Sequence, residues 1–439
     1  MAVTESQTTL INGKVETTDS LAPQVKGKLN GINSKPEGMN GHIQERHSPD
    51  QNVLHITDSR TGISYDIPIT HNSVRALDFK AIKVPNEGDV SNEADDAESG
   101  LRLLDPGFQN TAVKESKVTY VNGRKGEIQY RGHPIENLVG VKQYEDIMYL
   151  LIWGHLPTEP EKINFCMSLA TFPLPPPTVF DVIRAFPPSS PPIPMIIAGF
   201  SALAASQPES IPAYRARNIY MGNSIAVHHQ IIRSIANMAS ISAAVYCHKV
   251  GRQFTPPEAH LSYVENVLLM MGHVNKDTGR PDPKHVSYIQ RLWVLTADHE
   301  MTNSTAAFLH TASSLNDPLM SLISGIGSSW GILHGGAIEV AYKDIQRVGS
   351  VSAVHEKINA VKAGKMRLFG YGHRIYKVTD PRYVFIHKML DELQTDITDD
   401  AVLAVAMEID RVASTDEYFT SRKLKANADL FASFVYKAL

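Results

Sequence analysis

Three short stretches of this chain gather residue types suited to proton transfer and anion recognition. The first is Thr296-Ala297-Asp298-His299-Glu300, at the end of an apolar helical pattern. The second is Trp330-Gly331-Ile332-Leu333-His334-Gly335-Gly336-Ala337. The third runs from Gly370-Tyr371-Gly372-His373 through Arg374, Lys377 and Asp380-Pro381-Arg382. A His followed by two glycines lets a ligand or another segment approach the backbone closely. A helical pattern resumes over Ile338–Ile345, so His334 sits near a helix start, where backbone N–H groups face outward. A buried His beside a tight helix contact fits the same pattern, and the motif alone leaves both readings open.

The third stretch carries more information. From Ile358 to Thr379 there are five cations (Lys362, Lys365, Arg367, Arg374, Lys377) and no acid. Glycines bracket Tyr371 just before His373, and Arg382 follows an Asp-Pro turn. The pattern reads as a loop that sets a His and cations around a small anion; a solvated basic surface is the alternative. A nucleic-acid partner is disfavoured, because the patch is short and the chain is acidic overall, at −4. The adjacent pair His228-His229 and the run Asp298-His299-Glu300 do not match a zinc spacing such as His-Glu-x-x-His, so no catalytic metal is expected.

Elements must position these residues. Residues 1–51, rich in Gly, Ser, Thr, Asn, Lys and Glu, are expected to be disordered, the first aromatic residue being Tyr65. Residues 52–100 predict a small β-rich segment, with His55–Thr57 and Ser64–Ile67 around Thr61-Gly62, then an acidic linker over 85–99. From about residue 101 the pattern reads as mostly helical, with three- and four-residue apolar spacing over Asp146–Trp153 and Leu261–Met271. Prolines over 172–194 punctuate the helices. No β-α-β alternation and no glycine-rich phosphate loop occur, which disfavours nucleotide folds of those types.

Composition sets further bounds. The 439 residues, 43% of them hydrophobic, suffice for a large core and two or more domains. Only Cys166 and Cys247 are present, which suits a reducing compartment and argues against a disulfide framework. The most apolar run, Met195–Ala205, is too short to span a bilayer, so no membrane partner is expected. The first residues resemble neither a signal nor a transit peptide. An intracellular, cytoplasmic setting is expected. The final Lys437-Ala438-Leu439 only loosely resembles a peroxisomal tripeptide, and peroxisome and mitochondrion stay open.

Together, the three stretches resemble the citrate synthase family. Gly-aromatic-Gly-His, then a hydrophobic residue, a cation and Asp-Pro-Arg, match that family's signature at positions 370–382. His334-Gly335-Gly336-Ala337 resembles its second motif, Asp298-His299-Glu300 its first, and Asn427-Ala428-Asp429 the stretch with its catalytic aspartate. Asp105–Phe108 and Tyr130–Ile135 resemble the entry region of bacterial-type members. The resemblance implies a mostly α, two-domain citrate synthase fold with a large helical domain (101–335) and a smaller one (336–439) that closes on substrate. It implies condensation of an acyl-CoA with oxaloacetate, by a homodimer or higher homo-oligomer with no permanently bound cofactor. By position, His334 would bond the thioester carbonyl, Asp429 would take the α-proton, and His373 would polarise the ketone. His299 and Arg382 would hold oxaloacetate. Lys377, with Lys423 or Lys425, would face the phosphates of the CoA co-substrate.

Two departures shape the expectations. The chain stops at Leu439, ten residues after Asp429, where the resemblance implies a further segment bearing two arginines for the substrate carboxylates. On that reading the chain is C-terminally truncated relative to the family, and the competing expectation is a catalytically weakened binding or accessory protein. Near the base, Thr296 stands where the family frequently has His, Ile338 where it frequently has Asn, and Leu430 and Ala432 alter the residues after Asp429. These changes suit an acyl group longer than acetyl, as in alkylcitrate synthases of secondary metabolism.

Overall fold

A computed structural model describes residues 52–83, 100–108, 110–393, 397 and 400–439. The expected disordered extension over 1–51 and the acidic linker over 85–99 lie outside the described residues. The chain divides into two units, residues 1–113 and 114–439, each with its own architecture.

In the first unit, β1 (Val53–Thr57), β2 (Ser64–Thr70) and β3 (Ser73–Val74) form an antiparallel sheet in that order. The register pairs His55 with Asp66, and Ile67 is buried. The β-rich reading of this segment therefore holds. The turn is closed by Asp58, whose carbonyl accepts the Gly62 N–H at 2.7 Å.

The second unit opens with strands that the helical reading from residue 101 does not anticipate. β4 (Thr119–Asn122), β5 (Glu127–Tyr130) and β6 (His133–Pro134) form a second antiparallel sheet. Their alternation is short, and only Ile128 and Tyr130 of β5 point into the core. The rest is helical: α1 (Tyr144–Trp153), α2 (Glu159–Ala170), α3 (Pro177–Arg184), α4 (Pro192–Ala205), α5 (Ser224–Val250), α6 (Tyr263–Met270), α7 (Pro283–Leu295) and α8 (Asn303–Ala312). It continues through α9 (Pro318–Ser329), α10 (Ala337–Val348), α11 (Val354–Lys362), α12 (Pro381–Glu392), α13 (Ala401–Thr415), α14 (Glu417–Ser421) and α15 (Ala432–Ala438).

The sequence explains several starts. α7, α9 and α12 each begin with Asp-Pro. The Asp side chain accepts the N–H two residues on, and Pro at the first helical position has no N–H to leave orphaned. One core cluster joins β5, α1 and α7 to α10–α13 and α15; a second joins α3, α4, α5 and α9. His228 and His229 lie exposed on α5, beside Trp153 and Phe172. No helix among the described residues is long and apolar enough to cross a membrane.

Candidate active site

The three sequence clusters and the Asp429 segment converge on one cleft of about 1360 Å³. His299, His334, His373, Arg382 and Asp429 all line it.

His334 sits between α9 and α10, on a tight turn. Its own N–H donates to the Gly331 carbonyl at 3.0 Å, and the Gly336 N–H donates to the Ser329 carbonyl at 3.0 Å. A side chain at Gly336 would meet the Trp330 carbonyl oxygen at 2.5 Å, so the glycine permits this close return. The Ser304 backbone N–H donates to His334 Nε2 at 3.3 Å, and Ser304 Oγ lies 2.7 Å from the same atom. An N–H can only donate, so Nε2 holds the lone pair and a neutral ring carries its proton on Nδ1. Burial lowers the pKa of His334, which keeps the ring neutral.

His373 is fixed the opposite way round. The backbone N–H groups of Ile375 and Tyr376 donate to its Nδ1 at 3.1 and 3.3 Å. The neutral ring therefore carries its proton on Nε2. Burial pushes its pKa down to about 4; Asp380 opposes this in part, and Arg382 and Lys377 add to it. His299 meets the His373 ring edge-on at a centroid distance of 5.4 Å, and its Nε2 lies 2.9 Å from the Tyr376 hydroxyl. Burial, Arg382 and His373 hold His299 at about 4 as well.

Arg382 is held by the cap of its own helix. Asp380 Oδ1 accepts from Arg382 Nε at 3.0 Å and from the Arg382 backbone N–H at 3.0 Å; Oδ2 accepts from Nη2 at 2.7 Å. Asp380 is 1% exposed. Burial works against both charges, yet the fork wins: Asp380 lies below the usual carboxylate range and Arg382 above its ordinary value.

Asp429 lies in a short 3-10 turn ahead of α15. Asn427 ties that turn to the signature loop. Its Oδ1 accepts the Asp429 N–H, its Nδ2 donates to the Gly372 carbonyl and its own N–H donates to the Gly370 carbonyl, each at 2.9 Å. Gly370 has φ +83°, and a Cβ there would sit 2.9 Å from Leu430 Cα, so the signature glycine is required twice over. Burial pushes Asp429 up to about 6; Arg382 pulls down and Asp380 pushes further up.

Of the other residues named from sequence, Lys377 and Lys423 are exposed and Lys425 is half-buried; Arg367 and Arg374, not these lysines, are on the cleft wall. The basic run thus divides. Lys362 pairs with Asp416 at 2.8 Å and does not line the cleft. Sequence reading misses Ser304, which lies thirty residues from His334 with no motif of its own. It also gives no role to Asn427 or Asp380, and it reads Asp380-Pro381 as a turn where the structure starts α12. Among the described residues no group of three His, Cys, Asp or Glu side chains could hold a metal ion.

The residues matched by a family model, 107–439, are those of the citrate synthase C-terminal domain. The chain belongs to the citrate synthase family. The citrate synthase-like protein oryE of Aspergillus oryzae is 53% identical over 90% of this chain and 88% of its own length. The alkylcitrate synthase phiJ of a fungal species is 39% identical over 88% of this chain and 84% of its own length. A citrate synthase from Thermoplasma acidophilum, solved as a ternary complex with carboxymethyl coenzyme A and oxaloacetate, superposes with a TM-score of 0.67 at 26% identity, covering 76% of this chain and 84% of its own. The expected fold class and enzyme class both hold: this is a mostly helical, citrate synthase-like enzyme.

Proposed function

We propose that the chain condenses an acyl-CoA with oxaloacetate and water, releasing CoA and giving citrate or an alkylcitrate. The carrying observation is the pair of oppositely fixed histidines in one cleft with a half-buried carboxylate. Asp429, ionised above about pH 6, takes the α-proton of the thioester. His334 Nδ1–H stabilises the charge that develops on the thioester oxygen. The α-carbon attacks the ketone carbon of oxaloacetate, whose oxygen receives a hydrogen bond and then the proton from His373 Nε2. Water then cleaves the C–S bond, releasing CoA as its thiol. Arg382, preorganised by Asp380, takes a substrate carboxylate, with His299 beside it. Arg367 and Arg374 on the cleft wall, and Lys377, Lys423 and Lys425 on neighbouring segments, supply cations for the CoA phosphates.

The smaller domain, 336–439, carries His373, Arg382 and Asp429, and in this reading it closes on bound substrate. A homodimer or higher homo-oligomer is supported by α8, which has no buried residue and exposes Phe308 and Leu309. Light scattering on the purified chain tests that. Two free cysteines fit an intracellular setting. The competing reading, a weakened binding or accessory protein, is not favoured, given the relatives named above. An acyl group longer than acetyl, supported by the likeness to an alkylcitrate synthase, would tie the chain to secondary-metabolite biosynthesis rather than to the tricarboxylic acid cycle. Mass spectrometry of products from oxaloacetate with acetyl-, propionyl- and hexanoyl-CoA decides. An alkylcitrate product supports the reading; binding of both substrates without CoA release overturns it.

A further inference from the structure

One residue touches both His299 and His373 without lining the cleft itself. Tyr376 follows His373 by three positions, is 2% exposed and is absent from the cleft wall. Its backbone N–H donates to His373 Nδ1 at 3.3 Å, and its ring lies 4.7 Å from the His373 ring at 34°. Its hydroxyl lies 2.9 Å from Nε2 of His299, a residue 77 positions away. The β4–β5 hairpin fixes that meeting. Glu300 Oε1 accepts the Val121 N–H at 2.8 Å, which ties the His299 segment to β4. The Lys377 N–H donates to the Gly123 carbonyl at 2.8 Å, which ties the Tyr376 segment to the turn after β4.

Burial decides which way the hydroxyl proton points. Burial, and Asp380 after it, raise Tyr376 above its ordinary pKa, so the hydroxyl keeps its proton. It has no hydrogen-bond partner besides His299 among the described residues. If the imidazole donated instead, the buried hydroxyl proton would be left without an acceptor, which is the costlier arrangement. The hydroxyl therefore donates to Nε2, and a neutral His299 carries its proton on Nδ1. Burial, Arg382 and His373 keep that ring neutral.

We infer that Tyr376 is a positioning residue for substrate binding: its hydroxyl locks His299 in the Nδ1–H tautomer and in one orientation, so that oxaloacetate meets one fixed neutral ring. The inference rests on the reading above that His299 holds oxaloacetate. A single residue thereby sets opposite tautomers on two rings, His299 through its side chain and His373 through its main chain.

Tyr376→Phe separates the two attachments, because it removes the hydroxyl and keeps the backbone N–H. The test uses the full-length protein with its histidine ring nitrogens isotopically labelled. Long-range proton–nitrogen NMR reads the tautomers, with the His299 signals assigned by their loss in His299→Gln. In the wild type, His299 is expected to show Nδ1–H alone and His373 Nε2–H alone. In Tyr376→Phe, His299 is expected to exchange between tautomers while His373 is unchanged. In steady-state CoA release, the KM for oxaloacetate should rise by about 2- to 10-fold, the range of one hydrogen bond. The kcat at saturating oxaloacetate should hold, since the lost contact acts on binding. A wild-type His299 with its proton on Nε2, a His299 tautomer unmoved in Tyr376→Phe, or an unchanged KM for oxaloacetate overturns the lock. Equal disturbance of both rings also overturns it, because that outcome makes Tyr376 a general packing residue. No oxaloacetate-dependent CoA release from the wild type overturns the condensation reading instead, and the tautomers still decide the lock.

Discussion

Two helices that begin with Asp-Pro, α9 and α12, each bury their capping aspartate beside an arginine, and the outcomes are opposite. At α12 the partner is two residues away. Asp380 caps the helix, forks Arg382 and accepts the Ala428 N–H at 3.3 Å. At α9 the partner is Arg233 of α5. Asp317 caps its helix through the Leu319 N–H at 3.0 Å, but Arg233 Nη1 stays 3.9 Å away. Both are buried, and Asp317 Oδ2 and Arg233 Nε and Nη2 have no protein partner. The charges respond in opposite directions. The fork holds Asp380 below its ordinary value; burial leaves Asp317 above its own and Arg233 below. Asp380 therefore adds stability that is present above the unfolded carboxylate pKa and lost as pH falls. For Asp317 the favourable state is the protonated one, so its contribution is present at low pH and lost as pH rises through its raised folded value. A pair closed within one helical turn is oriented before the rest of the chain packs. A pair that must meet across helices inherits whatever separation the packing allows.

Asp429 sharpens the comparison most, as a half-buried acid with no fork at all. Asp429→Asn is expected to cut kcat by about 10²–10⁴, measured by steady-state CoA release. In the wild type, kcat/KM should rise with pH along a limb centred near 6, because the carboxylate must lose its proton. His299 and His373, held near 4, should add no limb between pH 5 and 8. A profile with no limb near 6 would break this account. The same raised pKa makes the carboxylate a cost to folding above about pH 6, so Asp429→Asn should be more stable than wild type there, by up to about 3 kcal/mol, and the gap should close toward pH 4 in urea titrations.

Asp380→Ala breaks the closed pair. With Arg382 left buried and unpaired, we expect a loss of about 3–5 kcal/mol in urea unfolding and a 10²–10³-fold fall in kcat/KM for oxaloacetate. A fall confined to stability would separate the fork from substrate binding. The open pair should behave differently. Arg233→Met alone should destabilise by about 3 kcal/mol, while Arg233→Met with Asp317→Asn, which keeps the helix cap, should return to within about 1 kcal/mol of wild type or exceed it. Neither should alter the KM for oxaloacetate. The smallest effect is expected at Tyr371, whose hydroxyl donates to Asp410 of α13, as does that of Tyr383. Tyr371→Phe should cost about 1–2 kcal/mol and a few-fold in kcat, since the signature loop keeps its glycines and its Asn427 ties.

Local rules made much of this legible. The glycines at 335–336 and 370–372 and the helix resuming after His334 follow from backbone freedom and periodicity, which act over a few residues, whereas Asp380-Pro381 reads as a turn in sequence and starts a helix in the structure. The hairpin over Thr119–Tyr130 was not legible. Its strands are four residues each, and their pairing is enforced by distant groups: Glu300 Oε1 accepts the Val121 N–H at 2.8 Å, and the Tyr130 hydroxyl donates to the Val294 carbonyl at 3.0 Å. Ser304 escaped for the same reason, as nothing beside it in sequence marks it as the partner of His334.

The sequence by itself determined which groups could act: two histidines on glycine-bracketed turns, an acid after an Asn, and an arginine just after an Asp-Pro turn. Those depend on residue type and near neighbours. Only the tertiary structure decided how they act. It placed Ser304 against His334 and the Ile375 and Tyr376 amides against His373, so that the protons stand on Nδ1 of one ring and Nε2 of the other. It buried Asp429 enough to hold its pKa near 6, and it gathered His299, His334, His373, Arg382 and Asp429 around one cleft. Tautomer, desolvation and pocket shape are set by atoms far apart in the chain, and only the packed fold brings those atoms within range.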